Sequence, residues 1–360
     1  MSKLFEAMDF IRGPEMKNRF MLAPLTNSQS HDDGTLSEEE FHWLTMRAQG
    51  GFGLTMTCAA HVQAVGQGFP GQLGVFGDEH LPGLTRLAAE IKSNRSIAIC
   101  QLHHAGMRSP TDIVGTPVCP SDDEKTGARA LTHEEVKQLI YDFVEAAVRC
   151  EKAGFDGIEI HGAHGYILGQ FLSADINQRT DEYGGSLENR ARIVREIIAG
   201  IRARCRNDFC VWLRLSPERF GMQLAEIIQL AGELMAEAEI DFLDMSLWDV
   251  FKEPEDETFK DRTLISCFTD IARHGVRLGV AGKIRTPAEA EQILASGVDW
   301  IMLGRAAIIH HDFPVQYQRD SQFTPLELPV TVAHLNQEGL SEKFVNYMSS
   351  WPGFVSVEQP

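Results

Sequence analysis

Residues 279–289, Gly279-Val-Ala-Gly-Lys-Ile-Arg-Thr-Pro-Ala-Glu289, contain a short apolar run, a glycine turn and the start of a helix. The apolar run has the length of a buried strand. Thr286-Pro-Ala-Glu289 has the form of a capping box with proline in the first helical turn. The stretch therefore predicts a strand followed closely by a helix, which is the repeating unit of α/β proteins.

Short apolar runs alternate with longer amphipathic stretches along the rest of the chain. Two more helix starts have the form of capping boxes, at Ser37-Glu-Glu-Glu40 and Thr132-His-Glu-Glu135. Eight parallel strands close a barrel, whereas an open doubly wound sheet usually stops at about five to seven. The predicted fold is therefore an α/β protein of the TIM (β/α)8 barrel class. Its predicted strands are 20–23, 53–57, 96–101, 157–161, 210–216, 241–246, 279–282 and 299–304.

The predicted domain organisation is one barrel over residues 1–320, with a C-terminal extension over 321–360 packed on it and no second domain. A length of 360 residues suits a single barrel with its loops. A loop is predicted over 102–131, which is rich in Pro, Gly, Ser and Asp. Loops of that length inside a compact domain tend to be functional.

The composition argues against several classes of partner. A net charge of −18 disfavours nucleic acid, because phosphate contacts need a basic face. No apolar run is long enough to span a bilayer, and the first residues carry charges where a signal peptide needs its apolar stretch. The seven cysteines include no C-x-x-C pair, so neither a disulfide framework nor a metal cluster is indicated. We expect a cytoplasmic protein with no nucleic-acid or membrane partner.

Polar residues follow the predicted strands at the end where barrel enzymes carry their chemistry. His161, His164 and Tyr166 come at or just after the fourth strand, and the glycines between them allow a tight turn that directs all three rings to one pocket. Histidine is a common zinc ligand, but no third ligand lies at suitable spacing nearby, so no metal is predicted. The alternative is that these rings only form hydrogen bonds with the backbone.

Two glycine turns indicate a phosphate site. Gly282 follows the seventh predicted strand, and Gly304 with Arg305 follows the eighth. Phosphate sites in these barrels are typically built from those two loops, with backbone N–H groups and a cation. The alternative is that the glycines merely turn the chain.

Two polar residues, Gln101 and Arg214, lie at the ends of otherwise apolar strands. A buried arginine needs an anionic or strongly polar partner, because an unpaired buried charge is very costly. The edge of a flavin ring would be such a partner. An internal ion pair with a strand carboxylate such as Glu159 is the alternative.

Longer motifs resemble a known family. The stretch His161-Gly-Ala-His-Gly-Tyr-Ile-Leu-Gly-Gln-Phe-Leu-Ser173 and the stretch Asn177-Gln-Arg-Thr-Asp-Glu-Tyr-Gly-Gly-Ser-Leu-Glu-Asn-Arg190 resemble the signature of the old yellow enzyme family. Residues 17–26 resemble its first strand, and residues 68–74 resemble its second loop. The resemblance covers the chain from about residue 4 to about residue 315.

The resemblance implies that the chain binds FMN non-covalently. Thr26 would tune the flavin potential, Gln101 would bind the pyrimidine edge, and Arg214 would lie beside N1 and stabilise the reduced flavin. The residues that the resemblance assigns to the cofactor are Pro24, Leu25, Thr26, Ala59, Gln101, Arg214, Gly282, Gly304 and Arg305.

The resemblance also implies an activity. NADH or NADPH would reduce FMN and leave, and an electron-poor alkene, either an α,β-unsaturated carbonyl or a nitroalkene, would then bind on the same face. His161 and His164 would bind the activating oxygen, and Tyr166 would protonate the substrate carbon. A homodimer or larger assembly is expected on the same grounds.

The chain departs from the family pattern in places. Many relatives have asparagine where His164 stands, and others have cysteine where Thr26 stands, with an aromatic residue in place of Ser28. Three alternative functions remain: another FMN-dependent barrel oxidoreductase, a cofactor-free barrel enzyme acting on a phosphorylated sugar, and a flavin-binding protein without activity.

Overall fold

The computed structural model describes residues 2–356 and shows a closed barrel of eight parallel strands surrounded by helices. In chain order the strands are β1 (Phe20–Leu22), β2 (Leu54–His61), β3 (Ile97–His103), β4 (Val118–Cys119), β5 (Arg129–Ala130), β6 (Gly157–Gly162), β7 (Cys210–Leu215), β8 (Phe242–Ser246), β9 (Arg277–Ala281) and β10 (Trp300–Leu303). The barrel closes in the order β1-β10-β9-β8-β7-β6-β3-β2, and β4 with β5 forms a separate small sheet. The predicted TIM-barrel fold is confirmed.

The helices alternate with the barrel strands and then continue beyond the last one. They are α1 (Glu38–Gln49), α2 (Leu81–Ser93), α3 (Thr111–Val114), α4 (His133–Lys152), α5 (Ile167–Leu172), α6 (Leu187–Arg204), α7 (Leu224–Glu237), α8 (Ser266–Thr269), α9 (Pro287–Ala295), α10 (Arg305–Ile309), α11 (Phe313–Arg319), α12 (Val332–Gln337) and α13 (Glu342–Ser349). Within residues 2–356, no helix has the length and hydropathy needed to cross a membrane.

Two barrel strands run further than the sequence predicts. β2 continues to His61 and β3 to His103, and the two strands pair as far as these residues. The segment predicted as a loop over 102–131 therefore begins with strand, and it also contains α3 and the β4–β5 sheet. Its Pro, Gly and Asp content concealed these short elements.

The two ends of the barrel interior differ in polarity. Near the N-terminal end of the strands, Trp212, Phe242 and Trp300 pack together inside the barrel, and Phe10 from the N-terminal segment lies against two of them. Towards the C-terminal end, the interior carries buried polar side chains such as Gln101. The apolar end forms a packed core, and the polar end is left for a ligand.

Two of the three predicted capping boxes form in full, at Thr132 and at Thr286. At Ser37 the box is half wrong, because the Ser37 hydroxyl accepts from the Glu40 N–H but the Glu40 carboxylate does not return to Ser37. The Glu40 side chain points inward and accepts from Asn27 Nδ2 at 3.0 Å and from the Ser30 hydroxyl. Helix α1 thus fixes the loop that follows β1.

The segment after α11 packs on the barrel. Arg47 of α1 donates from Nη1 to the Glu338 carbonyl at 2.7 Å and from Nε to the Ala307 carbonyl at 3.1 Å. The Ser341 N–H donates to Gln29 Oε1 at 3.1 Å. These bonds place α13 over the C-terminal end of the strands. Residues 357–360, the end of the predicted extension, lie outside the described residues.

Candidate active site

Two adjoining hollows open at the C-terminal ends of the barrel strands, with volumes of about 180 and about 260 Å³. They share walls that include Leu25, His164, Arg214 and Arg305. Every site residue that the sequence predicts lines one hollow or both: Pro24, Leu25, Thr26, Ala59, Gln101, His161, His164, Tyr166, Arg214, Gly282, Gly304 and Arg305. The structure therefore brings the predicted set together, and the role of each member stays a prediction.

The turn after β6 directs the two histidines and the tyrosine to one wall. His164 and Gly165 both have positive φ values, 60° and 68°. Glycine adopts this conformation at little cost, whereas histidine needs support from its surroundings. The His164 N–H donates to Ser216 Oγ at 3.0 Å, which ties the turn to the segment after β7.

The two histidines form a chain of hydrogen bonds. The Ala163 N–H donates to His161 Nδ1 at 3.2 Å, so the His161 proton is on Nε2. That nitrogen lies 3.3 Å from His164 Nδ1, and His164 Nε2 lies 2.7 Å from Ser246 Oγ. Each ring thus accepts at Nδ1 and donates at Nε2.

Burial fixes the protonation states along this wall. Burial lowers the pKa of His164 to about 3 and holds that of His161 well below its ordinary value. It raises the pKa of Tyr166, against the opposing effect of the nearby Arg108 guanidinium, which lies 4.8 Å from the tyrosine ring. At neutral pH both imidazoles are therefore neutral, and the tyrosine keeps its proton.

A third histidine, His103, lies beside this group. Its ring centroid is 4.4 Å from that of Tyr166 and 5.4 Å from that of His161. Gln72 Nε2 lies 3.1 Å from His103 Nδ1 and can only donate, so the His103 proton is on Nε2. That nitrogen is buried and has no hydrogen-bond partner among residues 2–356.

At the floor of the cavity Arg214 is almost fully buried, with a relative exposure of 4%. Its Nε lies 2.9 Å from Asp244 Oδ2 on the neighbouring strand β8. Among the described residues Glu159 forms no ion pair with Arg214, and its Oε2 accepts from Gln101 Nε2 at 2.6 Å. The internal ion pair weighed from the sequence thus forms with Asp244 instead.

The other end of the cavity is suited to an anion. Gly282 has a φ of 155°, and a Cβ there would lie 3.0 Å from the backbone of Trp248 and Asp249. Burial, and then the positive charge of Arg285, lower the pKa of Arg305. The guanidinium groups of Arg285 and Arg305 repel each other, and a bound anion would offset this repulsion. This is the environment that a phosphate group requires.

Several lining residues were missed by the sequence analysis. His103 could have been found, because it stands two positions after Gln101 and alternate strand residues face the same side. The tail residues Tyr347, Met348 and Trp351 line the hollow of about 180 Å³, and Trp248 lines the hollow of about 260 Å³. These four follow no motif, since their place depends on how α13 and the loop after β8 pack.

Among the described residues, no group of three His, Cys, Asp or Glu side chains is arranged to hold a metal ion.

Comparisons with known proteins agree on one family. Residues 3–322 match the NADH:flavin oxidoreductase / NADH oxidase family. The chain is 35% identical to a probable NADH-dependent flavin oxidoreductase of Bacillus subtilis, over 87% of each chain. It is 34% identical to an NADPH dehydrogenase of Bacillus pumilus, over 87% of this chain and 93% of the relative. Among solved structures, an old yellow enzyme homologue of Zymomonas mobilis superposes with a TM-score of 0.81 at 26% identity, over 95% of this chain and 99% of the other.

Proposed function

Because this chain belongs to the NADH:flavin oxidoreductase / NADH oxidase family, the family of the old yellow enzymes, we propose that it reduces activated carbon–carbon double bonds. It is an FMN-dependent oxidoreductase that uses NADH or NADPH. Family membership removes the cofactor-free barrel enzyme from the alternatives. The substrate class and the proton donor are the parts that we propose.

The cavity is suited to FMN at both ends. Gly282, Gly304 and Arg305 surround the space for the phosphate, where the repulsion between two arginines favours an anion. Gln101 and Arg214 offer an amide and a guanidinium to the pyrimidine edge. The remaining assigned wall residues are Pro24, Leu25, Thr26 and Ala59. Bound FMN supplies a hydride acceptor for NAD(P)H and a hydride donor to the alkene.

His161 and His164 are assigned to the activating oxygen of the substrate. Both are neutral, so they act as N–H donors and hold no spare proton for the substrate carbon. A substrate oxygen would accept from His161 Nε2 and from His164 Nε2, in competition with the contacts to His164 Nδ1 and Ser246 Oγ. Donors aimed at a developing negative charge stabilise the transition state of hydride addition.

Tyr166 is assigned as the proton donor, and the observation that carries the proposal is the difference in protonation between it and the histidines. On this wall the tyrosine keeps its proton at neutral pH, whereas His161 and His164 are neutral and carry only the N–H protons with which they would bind the substrate oxygen. Arg108 lies over the tyrosine ring and stabilises the phenolate that remains after transfer. General acid catalysis of this kind contributes about 100- to 10,000-fold.

A turnover experiment tests the substrate class. The FMN-bound protein is mixed anaerobically with NADH or NADPH and a simple cyclic enone in heavy water. We expect consumption of the reductant, a saturated ketone, and deuterium at the α-carbon only. Consumption of NAD(P)H by a quinone together with complete inertness toward enones and nitroalkenes would overturn the proposal and leave a different flavin oxidoreductase.

A further inference from the structure

Four polar side chains form a buried cluster on the floor of the cavity. Gln101, Glu159, Arg214 and Asp244 come from β3, β6, β7 and β8, and the two carboxyl groups have no exposed surface. Strand register brings them together, since Gln101 pairs with Glu159 and Arg214 with Asp244. The proposed reaction uses Gln101 and Arg214, and it leaves the two carboxyl groups without a role.

The contacts within the cluster leave oxygens without donors. Gln101 Nε2 donates to Glu159 Oε2 at 2.6 Å. Arg214 Nε is 2.9 Å from Asp244 Oδ2, but the two are not aligned as a hydrogen bond. Within residues 2–356, Glu159 Oε1 and both carboxylate oxygens of Asp244 lack a hydrogen-bond donor. Buried acceptors without donors are costly, so the cluster requires another proton.

The charges lead to the same requirement. Two ionised carboxylates and one guanidinium would leave a net negative charge on carboxyl groups that have no exposed surface. The carboxyl groups of Glu159 and Asp244 contact each other, and one proton between them supplies the missing donor. Burial raises the pKa of Glu159 to about 8 and that of Asp244 to about 6, with Arg214 opposing both shifts. The other titratable side chain on the same strand face, His161, is neutral.

We propose that Glu159 and Asp244 share one proton and act as a positioning pair for the cofactor, setting the orientation of Gln101 and the net charge around Arg214. Because the proton of Glu159 is directed at Asp244, its Oε2 can only accept. Gln101 must then present Nε2 to Glu159, which leaves Gln101 Oε1 for an N–H donor of the ligand. The single proton makes the cluster neutral overall, so the cluster would exert no net repulsion on the negative charge of a reduced flavin.

The proposal rests on FMN binding and is independent of alkene reduction, so its tests use no alkene. Glu159→Gln is the informative variant, because an amide reproduces the protonated carboxyl group: its Nε2 donates to Asp244 and its Oε1 accepts from Gln101. We expect Glu159→Gln to fold and to bind FMN within about threefold of the parent protein, a difference of less than about 1 kcal/mol. A variant that fails to fold or loses FMN would show that Glu159 is ionised, and the proposal would be wrong.

Infrared spectroscopy of the FMN-bound protein detects the shared proton directly. At neutral pH the parent should show the C=O stretching band of a protonated carboxyl group that Glu159→Gln lacks. Because burial also raises the pKa of Glu40, the band is taken from the difference between parent and variant. Absence of a difference band would mean that the pair holds no proton on Glu159.

The midpoint potential of bound FMN provides the functional readout. Above about pH 8 the parent loses the shared proton and its cluster becomes negative, so its potential should fall below that of Glu159→Gln. Below that pH the two potentials should agree. Asp244→Asn removes the negative partner of Arg214, so it should also lack the extra pH dependence. Parallel curves for the parent and Glu159→Gln across this range would contradict the proposal.

Discussion

The protonation state of each side chain in the cavity follows from its burial, and the chemistry follows from the protonation state. His161 and His164 are neutral donors, Tyr166 keeps its proton, and Arg214 lies beside Asp244. In the proposed arrangement, the cofactor phosphate would meet Arg305 and the substrate oxygen would meet the two histidine donors. Substitution of the histidine pair and of Arg305 can test these assignments separately.

Replacing both histidines should abolish ligand binding at the substrate site while FMN stays bound. Phenolates resemble a polarised enone oxygen, and over oxidised flavin they should produce a new long-wavelength absorption band. In His161→Ala/His164→Ala the N–H donors are gone, so the band should not appear on titration. His31→Ala, a change at an exposed histidine, is the control. A double variant that titrates like the parent would remove the histidines from the substrate site.

Arg305→Ala should weaken FMN binding. Loss of one charge-assisted phosphate contact costs about 1.5–3 kcal/mol, which is roughly a 10- to 150-fold rise in the dissociation constant. Recovery of flavin fluorescence on dilution measures this constant. Arg319→Ala, at an exposed arginine of α11, should leave it unchanged. Equal FMN affinity in both variants would mean that the phosphate lies elsewhere.

Residue patterns indicated which side chains line the cavity where a strand end determines the direction of a side chain. Gln101, His161 and Arg214 stand on strands, and the strand period places them in the barrel. Sequence alone could not place Tyr347 and Trp351, because α13 is held at the cavity by tertiary packing, such as that of Trp43 of α1 against Phe344. Nor could it choose Asp244 over Glu159 as the partner of Arg214, since that choice depends on side-chain geometry.

At the scale of secondary-structure elements, the pattern of apolar runs predicted all eight barrel strands. The strand ends were predicted less well, since β2 and β3 both run beyond their predicted ends. The very short β4 and β5 were missed because two residues carry no detectable period. The long signature over 177–190 supports the framework and lies outside the cavity lining. Within it, Arg179 Nη1 donates to the Pro120 carbonyl at 3.0 Å, and Asn177 Nδ2 donates to the Tyr183 carbonyl at 2.7 Å.

Helix α1 supports the loop after β1 through one buried carboxyl group, and its removal should be destabilising. Glu40→Ala leaves the Asn27 amide and the Ser30 hydroxyl buried without an acceptor. We expect the free energy of unfolding to fall by roughly 2–4 kcal/mol. Glu39→Ala, at the exposed neighbour on the same helical turn, should change it by less than about 0.5 kcal/mol. Equal urea midpoints for the two variants would contradict this account of α1.

For the whole molecule, the buried histidines predict loss of stability in acid. Burial lowers the pKa of His61 to about 4 and that of His104 and His164 to about 3. Below about pH 6.5 these histidines bind protons in the unfolded chain but not in the folded protein. The free energy of unfolding therefore falls as the pH drops from about 6.5 towards the pKa values of the histidines in the folded protein. Each such group contributes up to about 1.4 kcal/mol per pH unit.

The raised pKa values of Glu159 and Asp244 act in the opposite direction, because these groups stabilise the folded protein at low pH. That stabilisation is lost as the pH rises towards about 6 for Asp244 and about 8 for Glu159. The histidines whose pKa is lowered outnumber the carboxyl groups whose pKa is raised. The free energy of unfolding should therefore decline as the pH falls from about 7 to about 5. Urea unfolding at saturating FMN measures it. A flat profile would show that the histidines titrate normally.

The assembly and location of the molecule remain predictions: a cytoplasmic protein that forms a homodimer or larger oligomer, with the barrel over 1–320 and the extension over 321–360 as one unit. Hydride transfer from NAD(P)H to FMN needs no proton at a substrate carbon, whereas alkene reduction does. Tyr166→Phe therefore separates the two half-reactions.

Stopped-flow traces of the two half-reactions in Tyr166→Phe are the most direct test. We predict nearly unchanged flavin reduction by NAD(P)H and reoxidation by an enone that is about 100- to 10,000-fold slower. Quinones and oxygen, which accept electrons without protonation at carbon, should still reoxidise the variant well. Tyr141→Phe, at an exposed tyrosine, should behave like the parent in both steps. An unslowed enone reaction, or equal damage to both half-reactions, would contradict the proposed mechanism.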